Sequence, residues 1–264
     1  MKRPAARVAL ILMLGTTASA KDTLSAPQAI ITLSGQAQRV MLYRPAKART
    51  AVVLSSGDLG WVGLVVDVAE FLESQGVAVL GLNTRLYLAS FTRGSSRLAP
   101  EQVPGDYAVL AREARRLLGV STAPALAGIS EGAGLSVIAA SDPATRSELR
   151  GVICLGLPDT VELGWRSWRD WTIWITKYKP NEPEANLREF VSKVAPLPLV
   201  VVQSTKDEFV PLETARSLFA AAAEPKRLFL IDAANHRFSD KRDELHARLT
   251  EALDWLDWLD HRAP

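Results

Sequence analysis

The sequence predicts an α/β fold: a mainly parallel sheet with helices on both faces and a short cap insertion between two strands. Three observations carry the prediction. From residue 50 onward, short β-branched runs alternate with stretches of helical spacing, the order that parallel strands and crossover helices require. The strand-like runs are apolar along most of their length, as strands covered on both faces are. A chain of 264 residues with 48% apolar and 23% charged residues can bury one continuous core.

Residues 1–20 stand apart from this pattern. Lys2, Arg3 and Arg7 precede the apolar run VALILMLG, and TTASA closes with Ala18 and Ala20 in an A-x-A arrangement, the layout of a cleaved secretory leader. The run falls short of the roughly 18–20 apolar residues that span a bilayer. The expectation is therefore export across the inner membrane to the periplasm, with residues 21–264 as the mature domain. Losing the leader's three cations takes the formal charge from +2 to −1, which leaves no basic footprint for nucleic acid. Cys154 is the sole cysteine, so no internal disulfide forms, and its apolar surroundings predict a buried, inert thiol.

The elements follow in order. AIITLS and QRVMLYRP read as two strands around a glycine turn. TAVVLSS (50–56) is a strand, and WVGLVVDVAEFLESQG is a helix stopped at Gly76. VAVLGL (77–82) is the next strand, followed by a long loop over 84–104 and a helix over 105–119. APALAG (123–128) and RGVICLGL (150–157) are strands flanking the helix EGAGLSVIAASD. Residues 158–195 are less regular and are the expected cap. LPLVVVQST (197–205), PLETARSLFAAAAE and KRLFLIDAA (226–234) read as strand, helix, strand. RDELHARLTEALDWLDWL closes as an amphipathic helix with Leu245, Leu249, Leu253 and Leu256 on one side.

In an open parallel sheet, ligands sit at the carboxyl ends of the strands. Ser130 follows one strand inside G-x-S-x-G, Asp207 follows another in KDEFVP, and His236 follows a third in NHRF. That is the chain order Ser, Asp, His of the α/β-hydrolase triad. A serine hydroxyl needs a base before it attacks, an imidazole can be that base, and a carboxylate can fix the imidazole tautomer. The amides of Asp58 and Glu131 are the expected oxyanion donors, because the loop SSGDLGW leaves the first parallel strand and Glu131 opens the helix after the serine. Asp207 as a helix cap and His236 as an ordinary loop residue are the blander alternatives.

With these residues in view, LSSGDLGW, GLNTRLYL, GISEGAG, LGWRSWRDW and STKDEFVP with NHRF resemble the VirJ/AcvB-like bacterial branch of the α/β-hydrolases, over roughly residues 50–258. The resemblance implies an exported protein with Ser130 as nucleophile, Asp207 as acid and His236 as base. For some members it implies hydrolysis of aminoacylated phospholipid such as lysyl-phosphatidylglycerol. This chain departs from the pattern in carrying Glu131 after the serine, where an aromatic residue is expected.

Substrate selection is expected from two places. In the cap, Trp165, Trp168, Trp171 and Trp174 recur three apart among Arg166, Arg169, Lys177 and Lys179. They either pack on the core or form an aromatic, basic surface toward substrate or membrane. In the 84–104 loop, Arg85, Arg93 and Arg97 are candidates for an anionic group, with Tyr87 and the nearby Trp61 as further contacts. No metal or other cofactor is expected, since no ligand cluster has metal spacing. The function expected is an exported serine esterase acting on an ester or lipid, with membrane-surface contact. A small-ester, lactone or peptide hydrolase and a non-catalytic interaction module remain open beside it.

Overall fold

The computed structural model describes residues 27–92, 97–166 and 182–261. The expected leader therefore lies outside the described residues, as do Arg93, Trp168, Arg169, Trp171, Trp174, Lys177 and Lys179.

Strands β1 (Gln28–Leu33) and β2 (Gln36–Tyr43) form a hairpin turned by Ser34 and Gly35, both at positive φ, as a tight hairpin turn requires. β3 (Thr50–Ser55) is buried at every position and leads into α1 (Leu64–Ser74). β4 (Val77–Leu82) is followed by α2 (Thr84–Ala89), where a loop was expected. The reason is local: the Asn83 side chain accepts the Leu86 amide and caps a helix. A single 3₁₀ turn (Pro100–Gln102) leads into α3 (Val103–Leu118), which ends on left-handed Gly119. β5 (Ala125–Ile129) runs into α4 (Glu131–Ser141) and α5 (Pro143–Arg146). β6 (Val152–Leu155) follows, then the antiparallel ribbon β7 (Thr160–Glu162) and β8 (Glu184–Asn186), then α6 (Arg188–Val191). β9 (Leu199–Ser204), α7 (Leu212–Ala221), β10 (Lys226–Ile231) and α8 (Arg242–Asp260) complete the chain.

The main sheet has eight strands in the order β1-β2-β4-β3-β5-β6-β9-β10. β2 pairs antiparallel with both neighbours and the remaining pairs are parallel. Successive residues of a strand point to opposite faces, so β3 feeds two cores. Ala51 and Val53 pack with α3 and α4, while Val52 and Leu54 pack with α1 and α8. Val65, Val68, Ala69 and Leu72 give α1 its buried stripe, and each fully buried aliphatic side chain contributes roughly 1.5–3 kcal/mol. α4 differs, being buried from Gly132 to Ala140 on all sides. The β7–β8 ribbon lies against it so closely that a Cβ on Gly134 would come 2.1 Å from Val161 Cγ2. The carboxyl ends of β3, β5, β9 and β10 therefore open on one edge of the sheet, and the site is there.

Candidate active site

The turn at Ser130 is built by its two glycines. Ser130 has φ 53° and ψ −119°, a backbone conformation that costs an L-residue roughly 1–3 kcal/mol. The turn closes only because nothing occupies two Cβ positions: a Cβ on Gly128 would lie 2.2 Å from the Gly132 carbonyl oxygen, and one on Gly132 would lie 2.4 Å from the Ser55 carbonyl oxygen. β3, β5 and the start of α4 are thus in backbone contact, with the serine at the apex. The Ser130 amide donates to the Leu155 carbonyl at 2.9 Å, which anchors the turn to β6.

Asp207 lies beyond β9 with its side chain fully buried. Its Oδ1 accepts the amides of Phe209 at 2.9 Å and Val210 at 2.8 Å. Its Oδ2 accepts Gln203 Nε2 at 2.9 Å and pairs with His236 Nδ1 at 2.6 Å. Burial alone would raise this carboxyl, but the histidine contact and the two amides outweigh it and hold the group below the usual carboxylate range. Asp207 therefore orders the turn ahead of α7 and binds the imidazole; it is not the cap of that helix, which starts after Pro211 with no side-chain cap.

His236 follows β10 and is 7% exposed. Its amide donates to Glu208 Oε2 at 2.7 Å. The Phe209 ring meets its imidazole edge-on, with centroids 5.6 Å apart. The imidazole also lies against Gly156, where a Cβ would come 2.4 Å from Cε1. With Nδ1 committed to Asp207, Nε2 is the remaining ring nitrogen. The imidazole and Ser130 line one pocket of about 290 Å³ with the apolar side chains of Leu59, Val62 and Phe209. Among the described residues the Ser130 hydroxyl makes no hydrogen bond, including none to His236; such bonds commonly tighten only around substrate.

Beside Ser130, the two residues expected to supply oxyanion donors make a contact that sequence did not reveal. The Asp58 amide donates to the Glu131 carboxylate, Oε2, at 3.1 Å. Glu131 also borders a second, more polar cavity of about 730 Å³, which shares Asp58 and Leu59 with the first and is lined further by Arg85, Glu162, Trp165 and Glu184. Arg85 stacks over Trp165 at 4.0 Å, and both line this second cavity and not the pocket of Ser130 and His236. Arg97 is exposed in the described chain.

Two expected contacts are corrected. Trp61 is buried beneath the sheet, with its ring over Gly81 and its Nε1 donating to Tyr43 Oη at 3.2 Å. Tyr87 is fully buried on the other face and donates to Asp106 Oδ2 at 2.7 Å. Each stands beside the site in sequence, yet its side chain turns into a core. Phe209, Leu59, Val62 and Arg237 line the pocket instead. Cys154 is buried and its thiol is pushed up by burial.

A family model described as "Bacterial virulence protein (VirJ)" matches residues 49–217, more than half of the chain. The chain belongs to the VirJ family. The VirJ match contains Ser130 and Asp207 and stops before His236. Curated relatives of this VirJ chain include a protein named YfhR from Escherichia coli, 32% identical over 59 residues, 22% of this chain. That alignment spans only about a fifth of the relative's length (21%). Among solved structures, Est1E from Butyrivibrio proteoclasticus superposes with TM-score 0.62 at 17% identity, over 87% of this chain and 98% of that one. The esterase domain of a Rhodothermus marinus protein gives 0.58 at 20%, over 87% and 96%. A dienelactone hydrolase from Anabaena variabilis gives 0.61 at 16%, over 86% and 95%. At such identities the likeness shows the fold, and this VirJ chain has the α/β-hydrolase fold.

Proposed function

We propose that the protein is a serine hydrolase that cleaves a carboxylic ester through an acyl-enzyme on Ser130. The observation that carries this is the Asp207–His236 bond beside a serine held at a strained turn, with imidazole and serine lining one pocket. His236 Nε2 takes the Ser130 proton while Oγ bonds to the ester carbonyl carbon. The imidazolium, stabilised by Asp207, gives that proton to the leaving alcohol as the C–O bond breaks. Water then enters, loses a proton to Nε2 and releases the acid, returning the proton to Ser130. The α4 amino terminus favours the negative oxygen formed in both halves.

An aminoacylated phospholipid is the finer substrate we propose. The cavity beside the serine is lined by the carboxylates of Asp58, Glu131 and Glu184 against the guanidinium group of Arg85, while Arg166 is already paired with Glu182. That surplus favours an ammonium-bearing acyl group. Leu59, Val62 and Phe209 are large apolar side chains left exposed where they line the catalytic pocket, which fits contact with lipid at a membrane surface. The proposed location is the periplasm, on the leader-like residues 1–20.

A fluorophosphonate probe tests the central claim. Stoichiometric labelling of the folded protein that disappears in Ser130→Ala is expected. Folded wild type that takes up no label would instead favour an interaction module. A panel of lysyl-phosphatidylglycerol, neutral phospholipid and short esters then tests the substrate, with the lysyl lipid expected to turn over fastest.

A further inference from the structure

Glu131 stands where the proposed reaction calls only for amide protons. Its Oε2 accepts the Asp58 N–H at 3.1 Å. The position a Cβ would take on Gly57 is 3.5 Å from Ser130 Cβ and 3.6 Å from that same carboxylate oxygen. The carbon bearing the nucleophile and the carboxylate therefore crowd one side of Gly57. An amide placed to receive a negatively charged oxygen holds any such oxygen, and here the protein provides one of its own. Glu131 also has somewhere to go. It lines the polar cavity as well as the catalytic pocket, and Arg85 in that cavity offers a cation to a departing carboxylate.

We propose that Glu131 is a specificity-determining gate: its carboxylate occupies the Asp58 amide at rest and must move into the adjoining cavity before an ester carbonyl can bind there. The proposal rests on the acyl-enzyme reading of Ser130. It predicts selection by size. A short neutral ester makes few contacts with which to displace the carboxylate, so it reacts poorly. A substrate that fills both cavities uses binding remote from the reacting carbon to open the gate.

The test compares wild type with Glu131→Ala and Glu131→Gln, using p-nitrophenyl acetate and fluorophosphonate labelling. The alanine variant is expected to raise kcat/KM for the acetate about tenfold, the scale of one charge-assisted hydrogen bond no longer competing, with glutamine intermediate. Both variants are also expected to melt slightly earlier, because a carboxylate in the first turn of α4 is lost. A rate gain alongside a stability loss separates a gate from a residue that merely supports the helix. Unchanged or lower kcat/KM in both variants, with labelling and cooperative melting retained, overturns the gate alone. Absence of labelling in the folded wild type and in both variants overturns the hydrolase reading and the gate together.

Discussion

Asp207 places four hydrogen bonds on one buried carboxylate. Its pH behaviour follows from the depressed affinity of that group for protons. A carboxyl held lower in the fold than in the unfolded chain stabilises the protein above its unfolded pKa. That contribution drains away as the pH falls through the folded value. Asp207→Asn is thus expected to lower urea stability by roughly 1.5–3 kcal/mol at pH 7, the worth of hydrogen bonds to a charged group. The gap from wild type is expected to narrow below about pH 4, as urea titrations at several pH values would record; a gap constant across that range refutes the assignment. Labelling is expected to slow about 10⁴-fold at pH 7, because an asparagine selects the wrong imidazole tautomer. Part of this residue cluster was readable from sequence. Ser130, Asp207 and His236 each follow a strand run, and that placement needs no coordinates. Gln203 was not singled out from the sequence, because its bond to Asp207 depends on how the strand end and the following turn meet. The Glu131 contact with Asp58 was not readable, because it depends on a side-chain rotamer and on two loops meeting.

At the scale of elements, the decisive unit is β5, the serine turn and α4. The G-x-S-x-G pattern predicts this turn, and the packing explains both glycines differently. Gly128 must admit the Gly132 carbonyl, and Gly132 must admit β3. Gly132→Ala is expected to destabilise by roughly 1–3 kcal/mol, as overpacking does, and to abolish labelling, since β3 and the helix must spread apart. Gly105→Ala is the control. That position in α3 has no neighbour within 4 Å of its Cβ and no positive φ, so alanine is expected to stabilise by about 0.4–1 kcal/mol. Thermal melts of the two variants, with labelling of each, check the pair, and equal effects would refute the argument. Elements were harder to read where polar residues act locally. TRLYLA was read as loop because its helix depends on the Asn83 cap rather than on an apolar stripe. Trp61 and Tyr87 were misplaced for a related reason: distance along the chain from a site gives no information on which face a side chain takes.

At the scale of the whole molecule, alternation of apolar strands and helices specifies the layers, while strand order was not read from the sequence, since β3, β4, β5, β6 and β9 are buried alike. The proposed chemistry then draws on unequal parts of that sheet. Ser130 leaves β5, which has partners on both sides, and Asp207 leaves β9, which also has two. The histidine depends on β10, which pairs with β9 alone and is half-buried along most of its length. Outer strands open at lower free energy than inner ones. Function is therefore expected to fail before the fold does: as urea rises, fluorophosphonate incorporation drops at a lower concentration than the far-ultraviolet circular dichroism signal. Superimposable curves would mean that this rim of the sheet holds as firmly as its middle. If they separate, the protein passes through a range of conditions in which it is still folded and already silent.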